Sequence, residues 1–394
     1  MSEKIVITGA ARTPMGGVQG VLSDATAPEL GAAAIKAAIE RSGLNGDAVD
    51  EVIMGCVLPA GLGQAPARQA SLGAGVPMST GCTTINKMCG SGMKATMFAN
   101  DLLRAGTNRV MVAGGLESMT NSPYVLPKAR AGLRMGHGKV MDHMFLDGLE
   151  DAYDKGQLMG CFAEATADKY SFTREQQDDF AITSLKRAQA AIESGAFKDE
   201  ITPVVIKSRK GEAIVDTDEQ PFNANLEKIP TLRAAFRADG TVTAANSSSI
   251  SDGGAALVLM SESEAQTRSC QPLAVIQGHS TFAQEPAWFT TAPVGAIKNL
   301  LEKLNWSVDD VDLFEINEAF AVVTMAAMYD LGLDHAKVNI NGGACALGHP
   351  IGASGARIIV TLLAALKRQG LKKGIAALCI GGGEATAIAI ELCN

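Results

Sequence analysis

Residues 34–55 read AIKAAIERSGLNGDAVDEVIMG, and residues 296–317 read AIKNLLEKLNWSVDDVDLFEIN. The two stretches lie on one another without a gap: Ala34-Ile35-Lys36 on Ala296-Ile297-Lys298, Glu40-Arg41 on Glu302-Lys303, Val49-Asp50 on Val311-Asp312. Each has apolar residues spaced for one face of a helix, then a short polar turn. Each then ends in an apolar strand, Val52-Ile53-Met54 in one and Leu313-Phe314-Glu315-Ile316 in the other. The order continues alike in both. A strand ending at Ile85-Asn86 answers one ending at Ile340-Asn341, the Ala-rich helices Gly92–Leu103 and Gly355–Leu366 follow, and Val110–Gly115 and Ala376–Gly383 run into glycines. Strand–helix–strand alternation calls for largely parallel sheets between helices. The expected architecture is therefore α/β, in two duplicated halves that face each other.

The first half spans 1–117, completed by about 251–270, and the second spans 271–394. Between them, 118–250 breaks the rhythm as an inserted loop domain. Ser118 to Met141 has no acidic residue but carries Lys128, Arg130, Arg134 and Lys139. A long loop of this kind covers a substrate entrance or meets another subunit, unless it is simply solvated. Arg174 to Ser194 reads as a polar helix, with Thr173 as its N-cap before Glu175-Gln176.

At 394 residues with 47% apolar content, the chain can build more than one core. A net charge of −8 argues against nucleic acid, whose phosphates want a basic surface. No apolar stretch reaches the length of a membrane span. The eight cysteines show no CxxC pair and the start is not a leader, so a reduced, cytoplasmic protein is expected. Cys345-x3-His349 has a ligand spacing but no second pair, so no metal is expected. Nucleotide phosphate loops are absent as well.

Three loops carry residues suited to one chemistry. In Asn86-Lys87-Met88-Cys89-Gly90-Ser91-Gly92, Cys89 stands before a helix, whose N-terminus favours a thiolate and should lower its pKa. A buried structural thiol is the alternative. In Gly342-Gly343-Ala344-Cys345-Ala346-Leu347-Gly348-His349-Pro350, His349 sits in a rigid turn that suits a general base, and equally a structural histidine. In Cys379-Ile380-Gly381-Gly382-Gly383, a cysteine at a strand end meets glycines whose N–H groups can face an oxyanion; a core cysteine is the alternative. Asn317, at a strand end where the first half has Gly55, offers an amide for a water or an oxyanion, or a cap for the next helix.

Together these segments resemble the thiolase family along essentially the whole chain, with the acetoacetyl-CoA thiolases (acetyl-CoA C-acetyltransferases) as the nearest group. The motifs are Asn-x-x-Cys-Gly-Ser-Gly, Asn317-Glu318-Ala319-Phe320, Gly348-His349-Pro350 and Cys379-x-Gly-Gly-Gly. The resemblance implies the five-layered αβαβα fold, with the insertion covering coenzyme A. It implies that Cys89 is acylated with His349 as base, and that Cys379 moves the proton of the second acetyl group. It also implies two oxyanion sites, one from His349 and a water on Asn317, the other from the N–H groups of Cys89 and Gly381. Leu149, Met159, Leu232, Phe236, Ala244, Ser248, Ala319 and Phe320 match positions lining the pantetheine tunnel. No cofactor is implied, since coenzyme A is a substrate, as are its acyl thioesters; a homo-oligomer, dimer or tetramer, is.

Four places depart from the family pattern. They are Leu158-Met159-Gly160 for His-Met-Gly, Phe289-Thr290-Thr291-Ala292-Pro293 for Met-Gly-x-Gly-Pro, Glu384-Ala385 for Met-Gly, and Asp218-Glu219-Gln220-Pro221-Phe222 where an arginine often occurs. The first two bear on acyl length, which keeps open a degradative 3-ketoacyl-CoA thiolase with a longer or branched acyl group. An idle acyl-CoA-binding protein and a decarboxylating condensing enzyme fit the filled reacting positions less well. Glu384, expected to be buried, needs a partner.

Overall fold

The computed structural model describes residues 3–208 and 211–393. Met1, Ser2 and Asn394, on which the expectation about targeting partly rests, lie outside the described residues. The first half runs β1 (Ile5–Arg12), α1 (Ala27–Arg41), β2 (Glu51–Gly55), α2 (Pro66–Gly73), β3 (Gly81–Ile85), α3 (Ser91–Arg104) and β4 (Val110–Ser118). The insertion contributes α4 (Met159–Tyr170) and α5 (Arg174–Glu193), and β5 (Ser251–Ser261) follows it. The second half runs β6 (Ala274–Ala283), α6 (Ala292–Leu304), β7 (Leu313–Ile316), α7 (Ala321–Leu331), α8 (Ser354–Gln369), β8 (Lys373–Ile380) and β9 (Glu384–Leu392).

The starts of α1 and α5 are fixed by capping boxes. Thr26 accepts from the Glu29 N–H while the Glu29 carboxylate reaches back, and Thr173 and Gln176 repeat the device as the sequence suggests. Strands β3-β2-β4-β5-β1 form one half-sheet and β6-β9-β8-β7 the other. They join edge to edge through Val6 opposite Val275 and Ile7 opposite Ala274. Strand β5 returns from beyond the insertion to pair antiparallel with both β1 and β4.

Three apolar clusters define five layers. Helices α1 and α2 cover the outer face of the first half-sheet, around Ile35, Ala38, Val52 and Val112. Helices α6 and α7 cover the outer face of the second, around Ile297, Leu300, Phe314 and Ala387. Between the two half-sheets lie α3 and α8, with Met93, Met97, Ile358, Leu362 and Leu366 buried against strands of both. A helix apolar on nearly all sides belongs in such a middle layer. The duplication holds in detail: the 3₁₀ turns Gly46–Ala48 and Val308–Asp310 fall at the same place in the two matched stretches, each just before its strand.

Two expectations fail. The sheet is mixed rather than largely parallel: β2–β3, β2–β4 and β7–β8 run parallel, while β1–β5, β1–β6, β4–β5, β6–β9 and β8–β9 pair antiparallel. The strand predicted to end at Ile340-Asn341 is a single bridge, Phe314 to Val338, followed by a turn. Asn339 takes a left-handed backbone (φ 47°), which turns the chain out of the sheet. Its side-chain amide replaces the ladder, accepting from the Ile316 N–H at 2.8 Å and donating to the Ile316 carbonyl at 2.8 Å.

The insertion is anchored by a buried ion pair network. Arg12, at the end of β1, donates to Glu200 at 2.6 Å and to both oxygens of Asp218 at 2.7 and 2.8 Å. Asp218, just ahead of the residues where the family often has an arginine, thus has a structural task. By contrast, residues 124–140 are mostly exposed. Among the described residues no helix is long and apolar enough to cross a membrane.

Candidate active site

The two middle-layer helices meet at their N-termini because glycines allow it. A Cβ on Gly92 would lie 2.8 Å from the Ala356 nitrogen, and one on Gly355 would strike the Met93 nitrogen. Cys89 and His349, each a few residues ahead of its helix, are thereby carried to the same end of the layer. Gly90 packs on Ile380 so closely that a Cβ there would clash, which brings the end of β8, with Cys379, to the Cys89 turn.

The turn itself is held by side chains. Asn86 Oδ1 accepts from the Met88 N–H at 2.8 Å, and Ser91 Oγ accepts from the Lys87 N–H at 2.8 Å while donating to the Met88 carbonyl at 2.6 Å. These bonds keep Met88 in a left-handed conformation (φ 48°) that a non-glycine residue adopts at a cost of about 1–2 kcal/mol. Asn86 and Ser91, two polar positions of the motif, thus set where Cys89 projects.

The half-buried Cys89 thiol does not have the lowered pKa expected from the sequence. Burial pushes it up to about 11, and the nearby Glu117 carboxylate adds to the rise. The N–H groups of Gly381 and of Cys89 itself face the sulfur and pull the other way. Burial outweighs these donors, although Cys89 directly precedes Gly90, the cap of α3.

His349 is buried. Ser354 Oγ donates to the Pro350 carbonyl at 2.9 Å and lies 2.6 Å from His349 Nδ1. With the serine proton committed to Pro350, Nδ1 must carry the hydrogen that binds Ser354. Nε2 then bears the free lone pair, and it has no partner. Burial, with the Arg357 charge behind it, lowers the imidazole pKa to about 3 and keeps the ring neutral. Asn317 Nδ2 sits 3.4 Å from Nδ1, beside the ring, and Asn317 Oδ1 accepts from Arg357 at 3.3 Å. Asn317 does not cap α7, whose cap position is Phe320.

Cys379 is fully buried, its thiol pushed well above the usual range first by burial and then by the negative charge of a Cys89 thiolate. It packs in one cluster with Met159, Phe236, Phe289, Ala319 and Phe320. Met159 also lies against Gly381, and the Phe236 and Phe320 rings meet edge to face at 6.0 Å. Leu149 is on the Cys89 side, with Val57, Leu58, Met144 and Ile351. The Ser248 N–H donates to the Ala319 carbonyl at 3.0 Å. Leu232 and Ala244 stand outside these clusters, Ala244 exposed.

The described geometry has close counterparts. Residues 5–263 match the family model for the thiolase N-terminal domain, and residues 270–392 match that for the thiolase C-terminal domain. The chain is 50% identical over 390 residues to an acetyl-CoA acetyltransferase of Pseudomonas aeruginosa, covering 98% of this chain and 99% of that one. The chain belongs to the thiolase family.

As a thiolase, and hence an acyltransferase, it also shares its whole fold with solved relatives. A Bacillus anthracis acetyl-CoA acetyltransferase superposes with a TM-score of 0.97 at 44% identity, covering 100% of this chain and 99% of that one. The Acat5 thiolase of Ascaris suum, solved in complex with coenzyme A, gives 0.94 at 43% identity over 99% and 100%.

Sequence reasoning missed several residues around this thiolase site. Ser354 fixes the His349 tautomer. Arg357 holds Asn317, and its signal was an arginine in the apolar first turns of a helix whose other charges, Lys367 and Arg368, come in the last turn. Glu117, pushed up to about 7 by burial, accepts from the Val57, Leu58 and Gly352 N–H groups at 2.9, 3.1 and 2.9 Å, tying β2 to the turn after His349. Glu384 is not buried as expected but partly exposed, and its partner is Lys87, next to the Cys89 turn.

Proposed function

We propose that this thiolase interconverts two acetyl-CoA with acetoacetyl-CoA and coenzyme A through an acyl-enzyme on Cys89. The observation that carries the reading is the Cys89 sulfur itself, faced by the Gly381 N–H and close enough to Cys379 for their charges to interact. The names of the Pseudomonas and Bacillus relatives support the substrate, and the coenzyme A complex of the Ascaris relative supports the thioester class.

In thiolysis, His349 Nε2 takes the Cys89 proton as the sulfur attacks the 3-keto carbon of acetoacetyl-CoA. The carbon–carbon bond breaks, and Cys379 gives its proton to the departing carbanion, releasing acetyl-CoA. Coenzyme A gives its thiol proton to the Cys379 thiolate and attacks the acetyl-Cys89 thioester; a second acetyl-CoA leaves, and the Cys89 sulfur takes back the proton held by His349, which restores both thiols. This is covalent catalysis with ping-pong kinetics. The N–H groups of Cys89 and Gly381 face one developing oxyanion; His349 and a water on Asn317 face the other. Each such donor is worth about 10²–10³ in rate. Thioester carbonyls already acidify the α-carbon, so the reading needs no cofactor.

Met159, Phe236, Ala319, Phe320, Leu149 and Ser248 line the thioester path in this reading, and Leu232 and Ala244 its outer part. The reading keeps the halves 1–117 and 271–394 around the insertion 118–250. It places a homo-oligomer in the cytoplasm, consistent with eight free cysteines, and gives the loop 118–141, mostly exposed over 124–140, to subunit contact or the substrate entrance. The test is thiolysis of acetoacetyl-CoA beside 3-ketohexanoyl-CoA and a 2-methyl analogue. Faster cleavage of acetoacetyl-CoA is expected. Preference for the longer or branched substrate would instead assign a degradative 3-ketoacyl-CoA thiolase, with Phe289, buried beside Cys379, as the residue to vary.

A further inference from the structure

Glu384 replaces the family's usual methionine, and the reaction as described above does not use it. It follows Gly382 and Gly383, both left-handed (φ 95° and 89°), in the turn that presents Gly381 to the Cys89 sulfur. Consecutive glycines leave a turn little stiffness of its own. The turn closes a hairpin whose base is fixed by Glu384 pairing with Ile380 on one side and Ala283 on the other, and the Gln284 N–H donates to the Gly383 carbonyl at 2.8 Å. The hairpin meets the Cys89 loop at two places, Ile380 against Gly90 and the Glu384 carboxylate on the Lys87 ammonium. Lys87 is itself built into the Cys89 loop: its N–H donates to Ser91 Oγ at 2.8 Å, and its carbonyl accepts from the Gly90 N–H at 3.1 Å.

We infer that the Lys87–Glu384 ion pair is a positioning device that holds the Gly381 N–H on the Cys89 sulfur. The inference rests on the proposed reading of Cys89 as the nucleophile. The side chains are 22% and 36% exposed, so the pair adds little to global stability. Its effect is local, because it spans the two turns whose separation sets one N–H to sulfur distance. The apolar residue usual in the family at 384 cannot make this tie, so the device is particular to a chain that also carries a lysine at 87.

The test uses the full-length enzyme and two double variants. Lys87→Met with Glu384→Gln removes the tie and leaves the net charge unchanged. Lys87→Glu with Glu384→Lys reverses it. Three quantities are read: kcat and KM for acetoacetyl-CoA thiolysis, the pH midpoint for iodoacetamide alkylation of the Cys89 peptide without substrate, and Tm. In the neutral pair kcat should fall about tenfold with KM within about twofold. The alkylation midpoint should rise by about one unit, as when a hydrogen bond to a thiolate weakens, and Tm should move by no more than about 2 °C. The reversed pair should recover most of both kcat and midpoint. An unchanged kcat and midpoint in the neutral pair would overturn the inference. So would a loss of kcat that only follows Tm with the midpoint fixed, because the pair would then be a structural tie. An inactive wild-type enzyme would strike the proposed reaction, and the alkylation midpoints would still decide the role of the ion pair.

Discussion

The resting pair at Cys89 and His349 is neutral on both sides: burial holds the thiol near 11 and the imidazole near 3. Proton transfer between them is therefore unfavourable until a carbonyl arrives to share the charge, which confines the reactive thiolate to the moment of attack. His349 can act as base only because Ser354 holds the Nδ1 hydrogen and turns the Nε2 lone pair outward. Ser354→Ala keeps the imidazole and loses its orientation. It should lower kcat for thiolysis about tenfold, a part of the 10²–10⁴ that a placed base contributes, with KM for coenzyme A unchanged. Steady-state kinetics with both substrates varied would check this. None of this was legible at Ser354 itself, which reads as an ordinary small residue at a helix start. Cys89, Cys379 and His349 stood out because their loops combine glycine with a nucleophile or a base, a pairing that packing alone does not ask for, and Asn317 because it stands where the first half has Gly55.

Among the elements, α3 and α8 matter most, since their contact decides whether Cys89 and His349 share a site. Gly355→Ala puts a methyl against the Met93 backbone and should cost about 1–3 kcal/mol, because neither helix can move without disturbing both half-sheets. Its kcat should fall further than folded fraction explains. Leu362→Ala, deeper in the same layer, should cost about 2–5 kcal/mol and leave kcat per folded molecule near wild type. Thermal unfolding and activity measured on the same samples separate the two. Helices α1, α3, α5, α6 and α8 and strands β2, β3, β4, β7 and β8 were legible from period and capping, down to Thr173 before α5, whereas α2, α4, β1, β5, β6 and β9 were not. The exception at Ile340-Asn341 shows why some were not: apolar composition suggested a strand, while Asn339 satisfied Ile316 with its side chain and took the backbone elsewhere.

Taken whole, the molecule buries charges between its layers, and this gives its stability a pH dependence of known sign. Glu315, beneath Asn317, is pushed up to about 8 by burial despite the attraction of Arg357. Its ordinary value is 4.5, so the unfolded chain releases this proton earlier than the folded one. The favourable contribution of Glu315 is full below about 4.5 and is lost as pH rises through about 8. Glu315→Gln does not titrate, so its Tm relative to wild type should climb from pH 5 to about 8 and then level off. A constant difference would show that the carboxyl is already ionised in the fold. His349 acts at the other end: its folded pKa is lowered from 6.5 to about 3, so its contribution is present above 6.5 and is lost as pH falls toward 3. The duplicated plan of the molecule was legible in one gapless alignment of the chain with itself. The buried network of Arg12, Glu200, Asp218, Arg357 and Glu315 was not, because its members are brought together from both halves and the insertion.

Acylation of Cys89 is the step on which the proposed reaction depends. The direct measurement is to mix the enzyme with acetoacetyl-CoA in the absence of free coenzyme A and locate the modified peptide by mass spectrometry. One acetyl group on the peptide carrying Cys89, one equivalent of acetyl-CoA released, and loss of the label on adding coenzyme A are expected. An acetyl group on Cys379 instead, or turnover with no labelled Cys89 at any time, would contradict the proposed reaction.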